Sequence, residues 1–133
     1  MAGINLSGFM FGDAVDKKID VPFMFMENME EWCQECAPIC EVFYEDAEND
    51  AYMVRIKGAR HGNFSDWSLV GGILKLTGMN GPVNGRYFLE IQSQYVRSFF
   101  DLYLKGLDAP LLNSESTSYP EVEFNSRIAA GSI

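Results

Sequence analysis

Positive charge is scarce in this chain. Ten lysines and arginines stand against nineteen aspartates and glutamates, a formal net charge of -9. No basic cluster tracks along the sequence as a phosphate-binding surface requires, so nucleic acid is excluded as a partner class. Long apolar runs are also missing, and none approaches the roughly 18 to 20 residues of a bilayer-spanning helix. The N-terminus has no basic stretch followed by an apolar segment and cleavage site, so a soluble, cytoplasmic protein is the default expectation. Cysteine is confined to Cys33, Cys36 and Cys40. An odd number in one short stretch is a poor disulfide framework and fits a reducing compartment. Histidine is rarer still, since His61 is the only one.

What remains is a chain of 133 residues, 47% of them hydrophobic. That is enough for one domain with a real core and too little for two. Short apolar runs alternate with helical segments, without internal repeats, and this rhythm is α/β. Ile4 to Phe11 is the first run, interrupted at Ser7-Gly8. Val21 to Met26 is continuously apolar with Pro22 near its start, as in a strand buried on both faces of a parallel sheet. Asn28 and Glu31 have the spacing of a capping box, which predicts a helix from Met29 to about Ala47 with a break at Pro38. Tyr52, Val54 and Ile56 alternate with Met53 and Arg55 in a third strand, and the loop from Gly58 carries His61. Helices are expected over Phe64 to Thr77 and Arg86 to Leu104, the latter closed by Lys105-Gly106. Residues 1–106 then form the folded unit. Residues 107–133 read as an extended surface tail, ordered locally by Tyr119, Val122 and Phe124.

Three strands with intervening helices make about half of a doubly wound sheet. Such a sheet leaves edges that an upstream N-terminal half, or a second copy pairing at the edge, must cover.

Taken together and in order, GINLSGFMFG (3–12), VPFMFMEN (21–28), GARHGNFSDW (58–67) and YVRSFFDLYLKG (95–106) resemble a known family. They are similar to the C-terminal part of α/β-hydrolase serine esterases of the platelet-activating-factor acetylhydrolase type. In that family a strand ends in Leu-Asp with the triad acid, the next reads Pro and apolar residues, and His-x-x-Phe-x-Asp carries the triad histidine. The resemblance implies an acyl-enzyme carboxylic-ester hydrolase, with lipid-ester degradation among the family's chemistry. It makes His61 the general base and places Phe64 and Asp66 in the histidine loop. It implies no cofactor, since serine esterases work with side chains alone.

Two departures from the pattern bear on activity. Ser7 stands where the triad acid belongs, and a hydroxyl cannot supply the charge that holds the imidazole tautomer and stabilises the imidazolium. In serine proteases a neutral replacement costs about 10⁴ in turnover. Asp13, Asp16 and Asp20 follow the strand as substitutes of lower standing. The second departure is larger: no G-x-S-x-G nucleophile elbow occurs anywhere in the 133 residues. The isolated chain is therefore expected to lack serine-esterase activity.

Simpler readings stand beside these. A lone histidine in a glycine-flanked loop is ordinarily a turn residue. Asp66 fits a structural role, bonding backbone N–H groups at the start of the helix it introduces. A nucleophilic Ser7 is a minor reading, because no base is predicted beside it. Cys33, Cys36 and Cys40 have the spacing of a weak metal or redox motif, but also that of one buried helix face, and the structural reading is preferred. Tyr95, Phe99 and Leu102 likewise recur as a packing face. Two functions follow. One is the C-terminal half of a hydrolase that cleaves short acyl esters when completed. The other is a non-catalytic truncated remnant acting as a self-associating or partner-binding module.

Overall fold

The computed structural model describes residues 1–8, 18–29, 37–70 and 72–130. The apolar run after Pro22 becomes β2 (Phe23–Asn28), which lies between β1 (Gly3–Leu6) and β3 (Ala51–Ile56), parallel to both. Strand alternation sends Met24 and Met26 to one face of the sheet and Phe23 and Phe25 to the other. Both faces are covered, which explains why β2 reads as unbroken apolar sequence.

One face packs on α3 (Gly85–Lys105), through Phe88, Ile91, Tyr95 and Phe99. Asn84 opens this helix by accepting from the backbone N–H groups of Arg86 and Tyr87. Gly106 closes it in the left-handed conformation, φ 66°, where a Cβ is strained. The opposite face packs on α1 (Ala37–Glu45), through Cys40, Phe43 and Tyr44 against Phe25, Ala51 and Met53. The first part of the helix expected from Met29, with Cys33 and Cys36, lies outside the described residues, as do Asp13 and Asp16.

The fold departs from the sequence reading in two places. Val122–Arg127, within the expected tail, forms β4, antiparallel to β3 with Val54 opposite Phe124. Val122 and Phe124 alternate with Glu123 and Asn125 and enter the α3-side core, so this segment is part of the sheet. The strand order is β1-β2-β3-β4. A buried network fastens β4: Asp50 accepts from the Tyr103 hydroxyl at 2.7 Å and from the Ala129 N–H at 2.8 Å. Tyr52 and Tyr103 hydroxyls meet at 2.7 Å. On the other face Arg55 of β3 faces Glu27, Glu41 and Glu123 at 3.6 to 3.7 Å, joining β2, α1 and β4.

The second departure lies after the histidine. Instead of one helix over Phe64 to Thr77, the chain forms two short 3₁₀ turns, His61–Phe64 and Asp66–Leu69, and then α2 (Gly72–Leu76). Ser65 is extended between the turns (φ -130°, ψ 173°), and its Oγ accepts from the Trp67 N–H. Local side-chain bonds of this kind compete with a continuous helix. Among the described residues, no helix is long and apolar enough to cross a membrane.

Candidate active site

The carboxyl ends of three parallel strands converge on one edge of the sheet, the usual location of ligand sites in open α/β folds. Ser7 follows β1, Asn28 ends β2, and His61 begins the first turn after β3. Ser7 Oγ lies 3.2 Å from His61 Nδ1, so the residues at the expected positions of acid and base meet in space. Asn28 Nδ2 donates to Ser7 Oγ at 3.2 Å. The Ser7 N–H is bound to Met26 O at 2.7 Å, which continues the β1–β2 ladder by one step. Ser7 has φ 51°, the only positive value at a non-glycine position among the described residues. Such a value is uncommon outside glycine, asparagine and aspartate.

The contact has two possible hydrogen placements, each with its own chemistry. With the proton on Nδ1, the imidazole donates to Ser7 Oγ and Nε2 carries the basic lone pair, as in a serine hydrolase. With the proton on Nε2, Ser7 donates its O–H to Nδ1 and Nδ1 becomes the base. Neither arrangement supplies the negative charge of a triad carboxylate.

The histidine loop is held by residues that motif reasoning passes over. Asn63 is fully buried, and its Oδ1 accepts from the N–H groups of Arg60 and Gly81, at 2.9 and 2.8 Å. Its Nδ2 donates to Ser68 Oγ at 3.3 Å. A buried amide satisfied on both ends fixes the loop's two strands of backbone. Asn80 Nδ2 donates to Trp67 O at 2.8 Å. Gly62 leaves no room for a side chain: a Cβ there would sit 2.6 Å from Met79 O and 2.5 Å from Asn80 Oδ1. The available signal was asparagine and glycine density in a segment that a regular helix would not favour.

Phe64 is half-buried and meets Phe88 edge to face at 4.9 Å, a structural anchor between the loop and α3. Asp66 is exposed at the start of the second turn, and the cap there is Ser65 rather than Asp66. Beside His61 lies an apolar recess of about 220 Å³, lined by Arg60, His61, Gly62, Thr77, Gly78 and Met79. Its size suits a small group better than a large ligand. Cys40 points into the α1-side core, and burial, followed by its hydrogen bond to Glu27, pushes the thiol up to about 12. A thiol held protonated is a poor nucleophile and metal ligand, which supports the structural reading of this cysteine.

Comparison with known structures shows what the fold is similar to. A ferulic acid esterase from Streptomyces cinnamoneus superposes with a TM-score of 0.80 and 23% sequence identity, over 92% of this chain. The chain spans 39% of the length of that structure. No protein-family model and no curated protein matches the sequence. The fold is thus a mixed α/β sheet with flanking helices, shared with an esterase-type hydrolase.

Proposed function

We propose that this chain is the histidine-bearing portion of a serine-type carboxylic-ester hydrolase, of the acetylhydrolase kind that its motifs resemble. His61 is the general base, and the nucleophile and oxyanion hole belong to a segment that pairs at the outer edge of β1. The observation that carries this reading is the 3.2 Å contact between Ser7 Oγ and His61 Nδ1. Two positions assigned by motif order alone are neighbours in three dimensions. The esterase fold relationship and the small recess beside His61 support short acyl esters as substrates. The nucleophile's hydroxyl would pass its proton to Nε2 as it attacks the ester carbonyl. Ser7 would keep Nδ1 protonated and oriented without charge.

The test is to express the chain together with the coding sequence upstream of it and follow nitrophenyl ester turnover. Turnover that disappears in His61→Ala is the expected result. An upstream region without a nucleophile elbow, or turnover that survives His61→Ala, overturns the reading.

One observation favours the second, non-catalytic reading. The acid position carries a neutral serine, while β1 has no strand on its outer side among the described residues and leaves Leu6 exposed. A module that self-associates through that edge would give a stable inactive dimer in size-exclusion chromatography.

A further inference from the structure

From the geometry at the end of β1 we infer that Ser7 is itself an acyl acceptor, with His61 as its base and Asn28 as its oxyanion donor. This goes beyond the completed hydrolase, because it needs no second segment and uses the opposite imidazole tautomer. Failure of one reading therefore leaves the other standing.

Three observations carry it. The hydroxyl and a basic ring nitrogen are at 3.2 Å, close to the hydrogen-bonding reach expected of a nucleophile and its base in the absence of substrate. Ser7 sits directly after a strand with φ 51°, a backbone state that non-glycine residues hold only when the surrounding structure imposes it. The Met26 carbonyl accepts from the Ser7 N–H and the Asn28 amide donates to Ser7 Oγ. Asn28 supplies the third element. Its Nδ2 lies 3.2 Å from Ser7 Oγ and carries a second N–H. An oxygen that becomes bonded to the same carbon as Oγ develops its charge within reach of that amide, the role of an oxyanion-hole side chain.

The step is an ordinary acyl transfer from an ester with a good leaving group. Ser7 Oγ forms a bond to the carbonyl carbon as its proton moves to Nδ1 of His61. The carbonyl electron pair moves onto oxygen, facing Asn28. It returns as the carbon–oxygen bond to the leaving group breaks, and the departing phenolate carries away the bond pair while His61 returns the proton to solvent or to the phenolate. The product is acyl-Ser7. Acyl-Ser7 is an alkyl ester, far less activated than the aryl ester that formed it, so deacylation is the slower step and the acyl group accumulates.

The experiment uses the full 133-residue chain with p-nitrophenyl acetate, followed by peptide mapping of the acetyl group. A burst approaching one equivalent of nitrophenolate, with the acetyl on Ser7, is expected. Ser7→Gly, which tolerates the positive φ, removes the burst. His61→Gln slows it by about 100-fold, as loss of a general base does. Asn28→Ala slows it by about 100-fold, as loss of an oxyanion donor does. A burst that persists in Ser7→Gly, or an acetyl group found only on other residues, overturns the inference. So does a wild-type chain that is folded by circular dichroism and takes up no acetyl. Mapping of the wild-type adduct decides the matter even where a variant fails to fold.

Discussion

Ser7 and His61 are 54 positions apart in sequence and joined by a 3.2 Å contact between Oγ and Nδ1. The contact depends on two parallel pairings, β1 with β2 and β2 with β3, which bring the ends of the three strands level. A neutral hydroxyl here touches the ring without bringing charge to it, and a carboxylate at the same position has an effect that is easily read.

Ser7→Asp sets a carboxylate against the ring, and an adjacent carboxylate favours the imidazolium over the neutral form. With one histidine in the chain, proton NMR titration reads this without ambiguity. A His61 resonance that behaves identically in the two proteins would mean that position 7 does not face the ring in solution.

Asn63→Ala leaves the Gly81 N–H, which is buried with it, and the Arg60 N–H without their acceptor, and costs about 2 to 4 kcal/mol in stability. Urea unfolding measures the loss. The His61 resonance should shift as well, since the loop that carries it loses its central tie.

Tyr95 has a buried hydroxyl with no hydrogen-bond partner among the described residues, and burial pushes its pKa up to about 12. Tyr95→Phe removes an unpaired polar atom and raises stability by about 1 kcal/mol. The pH dependence follows from the sign of the shift. The folded pKa lies above the ordinary value of 10.0, so the contribution of this tyrosine is intact below pH 10 and is lost as pH climbs toward 12. Tyr52 and Tyr103 are shifted upward too, both mainly by burial, and add to the same alkaline decline. Urea midpoints should hold steady to about pH 9 and fall beyond 10, less steeply in Tyr95→Phe.

Ending the chain at Gly106 removes β4 and bares the edge of β3. Residues 1–106 alone are then expected to aggregate, because an exposed parallel strand with an apolar face recruits other edges. A monomeric, cooperatively folding fragment would restore the reading of 107–133 as an extended surface tail.

The three parallel strands and α3 were legible because each carries a local signal: an unbroken apolar run, an alternation, or a cap and a closing glycine. The meeting of Ser7 with His61 was legible only through motif order, since no local pattern reports a contact across 54 residues. The Asn28 amide donates to Ser7, a second use of an asparagine read from sequence as a helix cap, and the residues it would cap lie outside the described ones. Phe64 to Thr77 was read as one helix because Ser65 and Ser68 act through side-chain bonds that periodicity does not register. β4 was missed for a related reason: only Val122 and Phe124 face the core, too few residues for a strand signal outside the context of β3.

The strands lie side by side in the order in which they are synthesised. Each strand can therefore dock on one already delivered by the ribosome, and the sheet can grow as the chain emerges. The last strand is the exception in timing, since β3 ends at Ile56 and β4 begins at Val122. During that interval the nascent chain carries a finished apolar strand with one side unclaimed. That side of β3 stays open from the emergence of the histidine loop until Val122 arrives.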